Sequence, residues 1–306
     1  QLNPSDKGNI LVKVDSKLGA EAYTLDVNQT KITIQVSSGA GLFYAFQTIR
    51  QLLKMDGTGN YTIPVCTIED EPAFSWRTYM FDDAKNFQGK EVVKQILDQM
   101  VLLKMNIFHW HLTEDSGWRL EIDQYPLLTQ VGAWRDSTLL IAWRPDPKTG
   151  ELKRQNAGWD TELRGGYYTK ADIREIVKYA SSRHIKIVPE IDMPGHSIAA
   201  IAAYPWLSAS GKPIKVSSKN IGVTDVALNI ADEKVYEFIE NVLSEVVELF
   251  PGKIIHIGGD EVKFDSWKNR QDVNQIMAKN NLKNFSDLQI YFNNRIASFL
   301  KTKGYR

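Results

Sequence analysis

The most informative stretch of the chain is Ile255-His256-Ile257-Gly258-Gly259-Asp260-Glu261-Val262. Its apolar start predicts a buried strand, and the two glycines permit a tight turn at the carboxyl end of that strand. In α/β barrels this end of each strand carries the active site. Two adjacent carboxylates repel, so at least one pKa is expected to rise, which suits a proton donor beside an ionised group. The alternative is a plain Gly-Gly turn with two solvated acids.

The sequence from residue 73 to residue 306 alternates between strand and helix patterns. Strands are predicted over 77–81, 106–112, 185–191 and 253–257. Helices are predicted over 90–105, 169–182, 231–250 and 285–300. Thr169 and Asp172 have the spacing of a capping box at the start of the second helix. This alternation is typical of a parallel sheet with helices outside it, and four strand–helix units are visible.

Residues 1–72 are predicted to form a separate, small α+β domain. Strands are predicted over 10–14, 32–36 and 61–68, the last of them weakened by Pro64. A helix is predicted over 42–53, because apolar residues lie on one stripe there: Leu42, Ala45, Phe46, Ile49, Leu52 and Leu53. The acidic run 69–72 marks the predicted junction with the second domain.

Composition is that of an ordinary globular protein. Of the 306 residues, 43% are apolar and 24% are charged, which excludes a disordered or collagen-like chain. The 37 basic and 37 acidic residues balance, so neither nucleic acid nor an anionic membrane surface is indicated as a partner. The single cysteine, Cys66, excludes an intrachain disulfide, and no apolar run is long enough to span a membrane. Residues 1–10 lack the apolar core of a signal peptide.

Two further polar clusters coincide with the ends of predicted strands. The first is His109-Trp110-His111-Leu112-Thr113-Glu114-Asp115. Alternation places both histidines on one face, where they could bind a metal or support a pocket through hydrogen bonds. In the second, 189–196, Asp192 and His196 could share a centre with Glu261, since a histidine held by a carboxylate can tune a catalytic acid. A polar turn before an apolar helix is the alternative for this second cluster.

Cations and tryptophans supply the remaining candidates. Arg77 and the segment 82–86 could grip hydroxyls or carboxylates, although surface ion pairs are the more common role of such groups. All eight tryptophans occur at position 76 or later: Trp76, Trp110, Trp118, Trp134, Trp143, Trp159, Trp206 and Trp267. Tryptophan rings suit the apolar face of a sugar, while core packing is the usual role of any single one.

Taken in order, these motifs closely resemble the family 20 glycoside hydrolases, the β-N-acetylhexosaminidases. The motifs are Arg77 and Asp82, His109 to Asp115 followed by Gly117-Trp118-Arg119, Asp192-x-Pro-Gly-His196, and His256-x-Gly-Gly-Asp260-Glu261. The resemblance covers nearly the whole chain. It implies an α/β fold: a (β/α)8 TIM barrel as catalytic domain over 73–306, preceded by the small α+β domain of 1–72. Only about the first four βα units of such a barrel are present, so we expect a fragment that lacks the second half.

The resemblance also implies exo-acting hydrolysis of terminal N-acetylglucosamine or N-acetylgalactosamine from glycans, with retention of configuration. The nucleophile would be the substrate's own 2-acetamido oxygen, an exception to the two-carboxylate scheme. Asp260 would hold the acetamide N–H and stabilise the oxazolinium ion, and Glu261 would act as general acid and base. Supporting roles are implied for His196, Asp192, Glu114 and Asp115. Sugar contacts are expected from Lys85, His109 and Trp267.

The resemblance implies no cofactor and no metal, a carbohydrate as the partner, and an extracellular or periplasmic location. The sequence departs from the family pattern at two places. Lys85-Asn86 stands where the family has Arg followed by His or Asn, and lysine keeps the charge but loses the planar fork of arginine. Glu114-Asp115 stands where Asp-Asp is frequent. Two rival functions remain open. One is that of an inactive carbohydrate-binding relative, in which Lys85 reflects the lost activity. The other is that of a metal-dependent barrel hydrolase that uses His109 and His111.

Overall fold

A computed structural model describes residues 9–218 and 226–306 of the chain. The first eight residues of the predicted 1–72 domain therefore lie outside the described residues. Within the described ranges, no helix has both the length and the apolar character needed to cross a membrane.

The secondary structure alternates as the sequence predicts, with several additional short strands. The strands are β1 Ile10–Val14, β2 Tyr23–Val27, β3 Ile32–Val36, β4 Lys54–Met55, β5 Tyr61–Thr62, β6 Cys66–Asp70, β7 Thr78–Asp82, β8 Ile107–His111, β9 Thr113–Glu114, β10 Gly117–Trp118, β11 Trp134–Arg135, β12 Thr138–Pro145, β13 Leu152–Asp160, β14 Arg164–Gly165 and β15 Lys186–Glu190. The α-helices are α1 Gly39–Leu52, α2 Lys90–Leu102, α3 Leu127–Gln130, α4 Lys170–Ser181, α5 Ile198–Ala203, α6 Glu233–Leu249, α7 Gln271–Lys279 and α8 Phe285–Thr302. Two 3-10 helices span Pro205–Leu207 and Phe264–Trp267.

The chain divides into two compact units. The first comprises the residues up to 79 together with 95–107 and 180–185. The second comprises 80–94, 108–179 and 186–306. The division into domains at residue 72 stays a prediction.

The first unit contains a four-stranded sheet in the order β1-β3-β2-β6. Strand β1 runs parallel to β3, and β2 runs antiparallel to both β3 and β6. Helix α1 packs on this sheet and buries Ala45 and Ile49 against Leu25 and Ile34. The sequence analysis missed β2, although its apolar residues Tyr23, Leu25 and Val27 alternate with polar ones and are buried.

Two details of the first unit correct the predictions. Helix α1 begins three residues earlier than predicted, because the Ser38 side chain caps it by accepting hydrogen bonds from the N–H groups of residues 40 and 41. Phe46 and Leu53, both assigned to the buried stripe, are exposed. Pro64 divides the predicted strand 61–68 into β5 and β6, since proline cannot donate a ladder hydrogen bond.

The second unit carries the candidate site and contains a three-stranded sheet in the order β15-β8-β7. The predicted strand 253–257 does not form a continuous strand pairing. Its pairing is limited to one parallel bridge, between Glu190 and His256. At the other edge of this segment, the N–H of Ile255 donates a hydrogen bond to the carbonyl of Arg306, which is not part of a strand. A closed barrel is not seen among the described residues.

The long helices that come after β7 in the chain follow their sequence patterns closely. The predicted apolar stripe of α6 is buried throughout, namely Val235, Phe238, Val242, Val246 and Leu249. The predicted capping box at α4 is confirmed, since Thr169 and Asp172 exchange hydrogen bonds of 2.7–3.1 Å. Helix α2 ends at Leu102, earlier than predicted, because Lys104 adopts a left-handed φ of 53° and breaks the helical path.

Candidate active site

Four segments of the second unit bring polar side chains together at strand ends. These are the segments after β7, after β8 and after β15, and the turn that follows the bridge residue His256. Their side chains lie within contact distance of one another, as the three sequence clusters predicted. Arg77 is not among them: it precedes β7 and forms a bidentate ion pair with Glu21 in the first unit.

His196 lies at the centre of the cluster, between carboxylates on both sides of its ring. Its Nδ1 is 3.0 Å from Glu114 Oε1 and 3.5 Å from Asp115 Oδ2, and its Nε2 is 3.5 Å from Glu261 Oε2. The contact of Nδ1 with Glu114 is a buried ion pair. Glu114 and Asp115 are buried, whereas 60% of the Glu261 side chain is exposed.

Charge and burial set the protonation states around this histidine. Contacts with Asp115 and Glu114 raise the pKa of His196 to about 11, so the imidazole is cationic at neutral pH. Burial alone would raise the pKa of Glu114, but the nearby charges of His196 and Lys85 hold it below its usual value. The ring is therefore a fixed positive charge beside Glu261.

The backbone around the cluster is strained at two of the residues that matter most. His196 has a φ of 46° and Glu261 a φ of 49°, both in the left-handed region that non-glycine residues rarely adopt. Such a conformation costs on the order of 1–3 kcal/mol and is typical of functional sites. These two residues are in contact, with 3.5 Å between His196 Nε2 and Glu261 Oε2.

Asp192 and the Gly258-Gly259 turn pack tightly together. Oδ1 of Asp192 accepts a hydrogen bond of 3.0 Å from the N–H of Gly259. A Cβ atom at position 258 would lie 1.7 Å from the same oxygen, and φ there is 64°, so this position requires glycine. Burial, with a contribution from the charge of Asp260, raises the pKa of Asp192 to about 7. This rise is at Asp192, which lies outside the adjacent pair 260–261 for which the sequence predicted a raised pKa.

A second charged cluster forms around Glu190, a residue to which the sequence analysis gave no role. Its Oε2 lies 2.7 Å from His109 Nε2 and 2.8 Å from His111 Nδ1, and its Oε1 lies 3.0 Å from His256 Nδ1. Burial would raise the pKa of Glu190, but these three imidazoles hold it far below its usual value. The predicted common face of His109 and His111 is confirmed. Its position near the carboxyl end of the predicted strand 185–191 is the signal that the sequence offered.

Lys85 has two acidic neighbours. Its Nζ lies 2.9 Å from Asp82 Oδ2 and 3.5 Å from Glu114 Oε1. Its carbonyl accepts a hydrogen bond from Nη1 of Arg135, a buried residue that the sequence analysis missed. Buried Arg119 donates to the adjacent carbonyl of Ala84, as well as to carbonyls of 133 and 166. The backbone that carries Lys85 is thus held by two arginines.

The other residues expected to contact sugar occupy different environments. The His109 side chain is 20% exposed beside Glu190. Trp267 is completely buried and donates from Nε1 to the carbonyl of Leu228, so its position does not support the expected sugar contact. Of the other tryptophans, Trp143 and Trp159 are more than half exposed in the β12–β13 hairpin.

Some of these groups could in principle hold a cation. Among the described residues, four sets of three His, Asp or Glu side chains place ligand atoms within 4.8 Å of one another: His109, Glu190 and His256; His111, Glu190 and Asp192; Glu114, Asp115 and His196; and Asp192, His196 and Asp260. Every set contains an imidazole next to a carboxylate. In the first three sets an imidazole and a carboxylate form an ion pair at 2.7–3.0 Å, which accounts for the short distances there.

Sequence comparison identifies the family. Residues 74–306 match glycosyl hydrolase family 20, catalytic domain, and residues 2–71 match glycosyl hydrolase family 20, domain 2. The chain is 38% identical over 309 residues to a beta-hexosaminidase of Vibrio furnissii, and 37% identical over 316 residues to one of Porphyromonas gingivalis. All of this chain is covered in both matches, against 48% and 38% of the relatives.

Solved structures agree with the sequence matches. The beta-N-acetylhexosaminidase of Bacteroides fragilis superposes with a TM-score of 0.83 at 34% identity, covering 100% of this chain and 55% of that one. An exo beta-N-acetylglucosaminidase of family 20 from Vibrio harveyi, solved with N-acetylglucosamine, gives 0.83 at 35% identity, covering 99% and 46%. The chain belongs to glycosyl hydrolase family 20. It spans less than half the length of the two curated relatives named above.

Proposed function

We propose that the protein to which this chain belongs is an exo-acting β-N-acetylhexosaminidase that removes terminal N-acetylglucosamine or N-acetylgalactosamine from glycans. One observation carries the proposal: cationic His196 lies between buried Glu114 and exposed Glu261, at 3.0 and 3.5 Å. Asp260 precedes Glu261 and is also exposed. Membership of family 20 and the β-hexosaminidase activity named for the relatives support the same substrate class.

The proposed reaction retains the anomeric configuration. The acetamido oxygen of the substrate bonds to the anomeric carbon while the glycosidic C–O bond breaks, and Glu261 gives its proton to the leaving oxygen. Water then opens the oxazolinium ion at the anomeric carbon and returns a proton to Glu261. An internal nucleophile is already in position, which removes much of the entropic cost of bringing two reactants together.

Each residue of the cluster has a role in this proposal. Asp260 accepts the acetamide N–H and stabilises the positive charge of the oxazolinium ion, an electrostatic effect of a few kcal/mol in comparable sites. His196, held by Glu114 and Asp115, orients Glu261. Asp192 packs the turn that presents the two acids. His109 is proposed to face the sugar hydroxyls. The resemblance implies the same contact for Lys85, whose ammonium lies against Asp82 and Glu114. No metal or cofactor takes part in the proposed reaction.

The fold proposal accompanies the functional one. We propose that β7, β8, β15 and the segment 255–257 are the first four strands of a (β/α)8 barrel. Residues 1–72 are proposed to form a separate α+β domain. The matches to the two family 20 domains and the fold similarity to family 20 structures support both statements.

The decisive test compares substrates and variants in the whole protein. We expect hydrolysis of an N-acetylglucosaminide, but essentially none of the matched glucoside, because a 2-hydroxyl cannot form the cyclic intermediate. Glu261→Gln should slow substrates with poor leaving groups about 100- to 10,000-fold and spare binding. A thiazoline mimic of the intermediate should inhibit well. Comparable rates on the two sugars, or a sugar trapped covalently on a carboxylate, would contradict the mechanism.

Chelation separates the proposal from a metal-dependent hydrolase that uses His109 and His111. Exhaustive treatment with a chelator should leave the rate unchanged, because both imidazoles are paired with Glu190 and neither is needed as a ligand. The measurement is the initial rate before and after chelation, with metal content determined in parallel. Stoichiometric zinc, with activity that follows its removal and return, would favour the metal hydrolase.

A further inference from the structure

Lys85 is held in place at its backbone as well as at its ammonium group. Its N–H donates to Asp82 Oδ1 at 3.0 Å, and its carbonyl accepts from Arg135 at 2.6 Å. The ammonium lies 2.9 Å from Asp82 Oδ2 and 3.5 Å from Glu114 Oε1, and the side chain is 37% exposed. The Lys85 ammonium therefore contacts the carboxylates of Asp82 and Glu114 and remains partly exposed to solvent.

The contact with Glu114 involves the same oxygen that faces His196. Oε1 of Glu114 lies 3.5 Å from the Lys85 ammonium and 3.0 Å from His196 Nδ1, while Oε2 accepts from the N–H of Ser116 at 3.1 Å. Two cations thus share one oxygen, and the other oxygen is fixed by the backbone.

These contacts continue to the proposed general acid. Nε2 of His196 lies 3.5 Å from Glu261 Oε2. The contacts run from Asp82 through Lys85, Glu114 and His196 to Glu261. The imidazole is also faced by Asp115, Asp192 and Asp260. A change in how Lys85 holds Glu114 must therefore alter the position of the ring that contacts Glu261.

We propose that Lys85 is a positioning residue for proton donation: by attracting Oε1 of Glu114 it fixes the His196 ring, and through that ring the carboxyl group of Glu261. This inference rests on the proposed role of Glu261 as general acid. It differs from a contact with sugar hydroxyls, which would act on binding of every substrate equally. A positioning role, by contrast, affects only the rates of substrates whose leaving group must be protonated.

Leaving groups of different quality distinguish the two roles in the whole protein. We expect Lys85→Met to lower kcat/KM about 10-fold for a substrate with a poor leaving group, mainly through kcat, a size ordinary for residues coupled through a network. With an activated aryl leaving group the loss should be several-fold smaller, because little proton transfer is needed. Equal losses on the two substrates, or a loss confined to KM, would overturn the proposal.

A matched double variant tests the Lys85–Glu114 contact itself. The two Cα atoms are separated by nine side-chain atoms when lysine is counted to Nζ and glutamate to Oε. An arginine–aspartate pair, counted to Nη and Oδ, also has nine. Lys85→Arg and Glu114→Asp should each impair the poor-leaving-group substrate, because each alone changes this reach. The double variant should recover most of the loss. Losses that simply multiply would show that the two residues act independently and would overturn the proposal.

A spectroscopic measurement on the whole protein does not depend on activity. The chain has five histidines, and their labelled imidazole signals can be assigned individually by NMR. Lys85→Met should shift the signals of His196 and leave those of His184, which packs on Phe43 in the first unit, unchanged. An unmoved His196 overturns the proposal. If Glu261→Gln shows no dependence on the leaving group while His196 still responds to Lys85, the proposed function fails instead.

Discussion

At the scale of single residues, Asp192 shows how burial near a like charge affects stability. Its pKa is raised from 3.8 to about 7, so between these values the folded protein binds more protons than the unfolded chain. The free energy of unfolding contributed by Asp192 therefore falls as the pH rises from about 4 to about 7. Asparagine carries no charge at any pH, yet it can still accept the hydrogen bond from Gly259.

We accordingly predict that Asp192→Asn gains stability relative to the parent chain as the pH rises across that interval. The measurement is denaturant unfolding of both proteins at several pH values between 4 and 8. Other titrating groups are shared by the two proteins and largely cancel in the difference. A difference in unfolding free energy that does not vary with pH would contradict the assigned cause.

At the scale of secondary-structure elements, the start of α4 is determined by local chemistry. Oγ1 of Thr169 accepts from the N–H of Asp172, while Asp172 Oδ2 accepts from the backbone and hydroxyl of Thr169. We predict that Thr169→Ala lowers the free energy of unfolding by about 1 kcal/mol. Thr169→Ser, which keeps the hydroxyl, should lose much less. Equal losses in the two variants on chemical denaturation would show that the methyl group matters rather than the cap.

At the scale of the whole second unit, Glu190 joins segments that are far apart in sequence. From β15 it contacts His109 and His111 on β8 and His256 on the bridge segment. Removing the charge leaves His111 and His256, whose pKa values are raised, without their counter-ion. We predict that Glu190→Gln costs about 3 kcal/mol, whereas Glu162→Gln, in an exposed surface pair, costs less than about 1 kcal/mol.

The cost at Glu190 should also depend on pH. The lowered pKa of Glu190 provides stability that is present above about 4.5 and is lost as the pH falls. The raised pKa values of His111 and His256 provide stability that is present below 6.5 and is lost as the pH rises. The difference between parent and Glu190→Gln should therefore be largest between pH 4.5 and 6.5. A difference that grows steadily toward alkaline pH would argue against the ion cluster.

The sequence alone determined the features that depend on neighbours along the chain. The α6 stripe and the α4 cap were predictable, because helical periodicity and capping act within a few residues. The motifs 109–115, 192–196 and 256–261 pointed to a common site and to the family. The departure at Lys85 was also visible, although its meaning was not.

Tertiary structure alone decided which of these groups touch. Nothing near Glu190 in sequence indicates that three imidazoles surround it, and nothing near Lys85 indicates that it shares an oxygen of Glu114 with His196. The exposure of Phe46 and the burial of Trp267 were likewise beyond the pattern. Side-chain contacts and pKa values depend on distances of 3–4 Å between segments dozens of residues apart, and folding sets those distances through the packing of the whole unit.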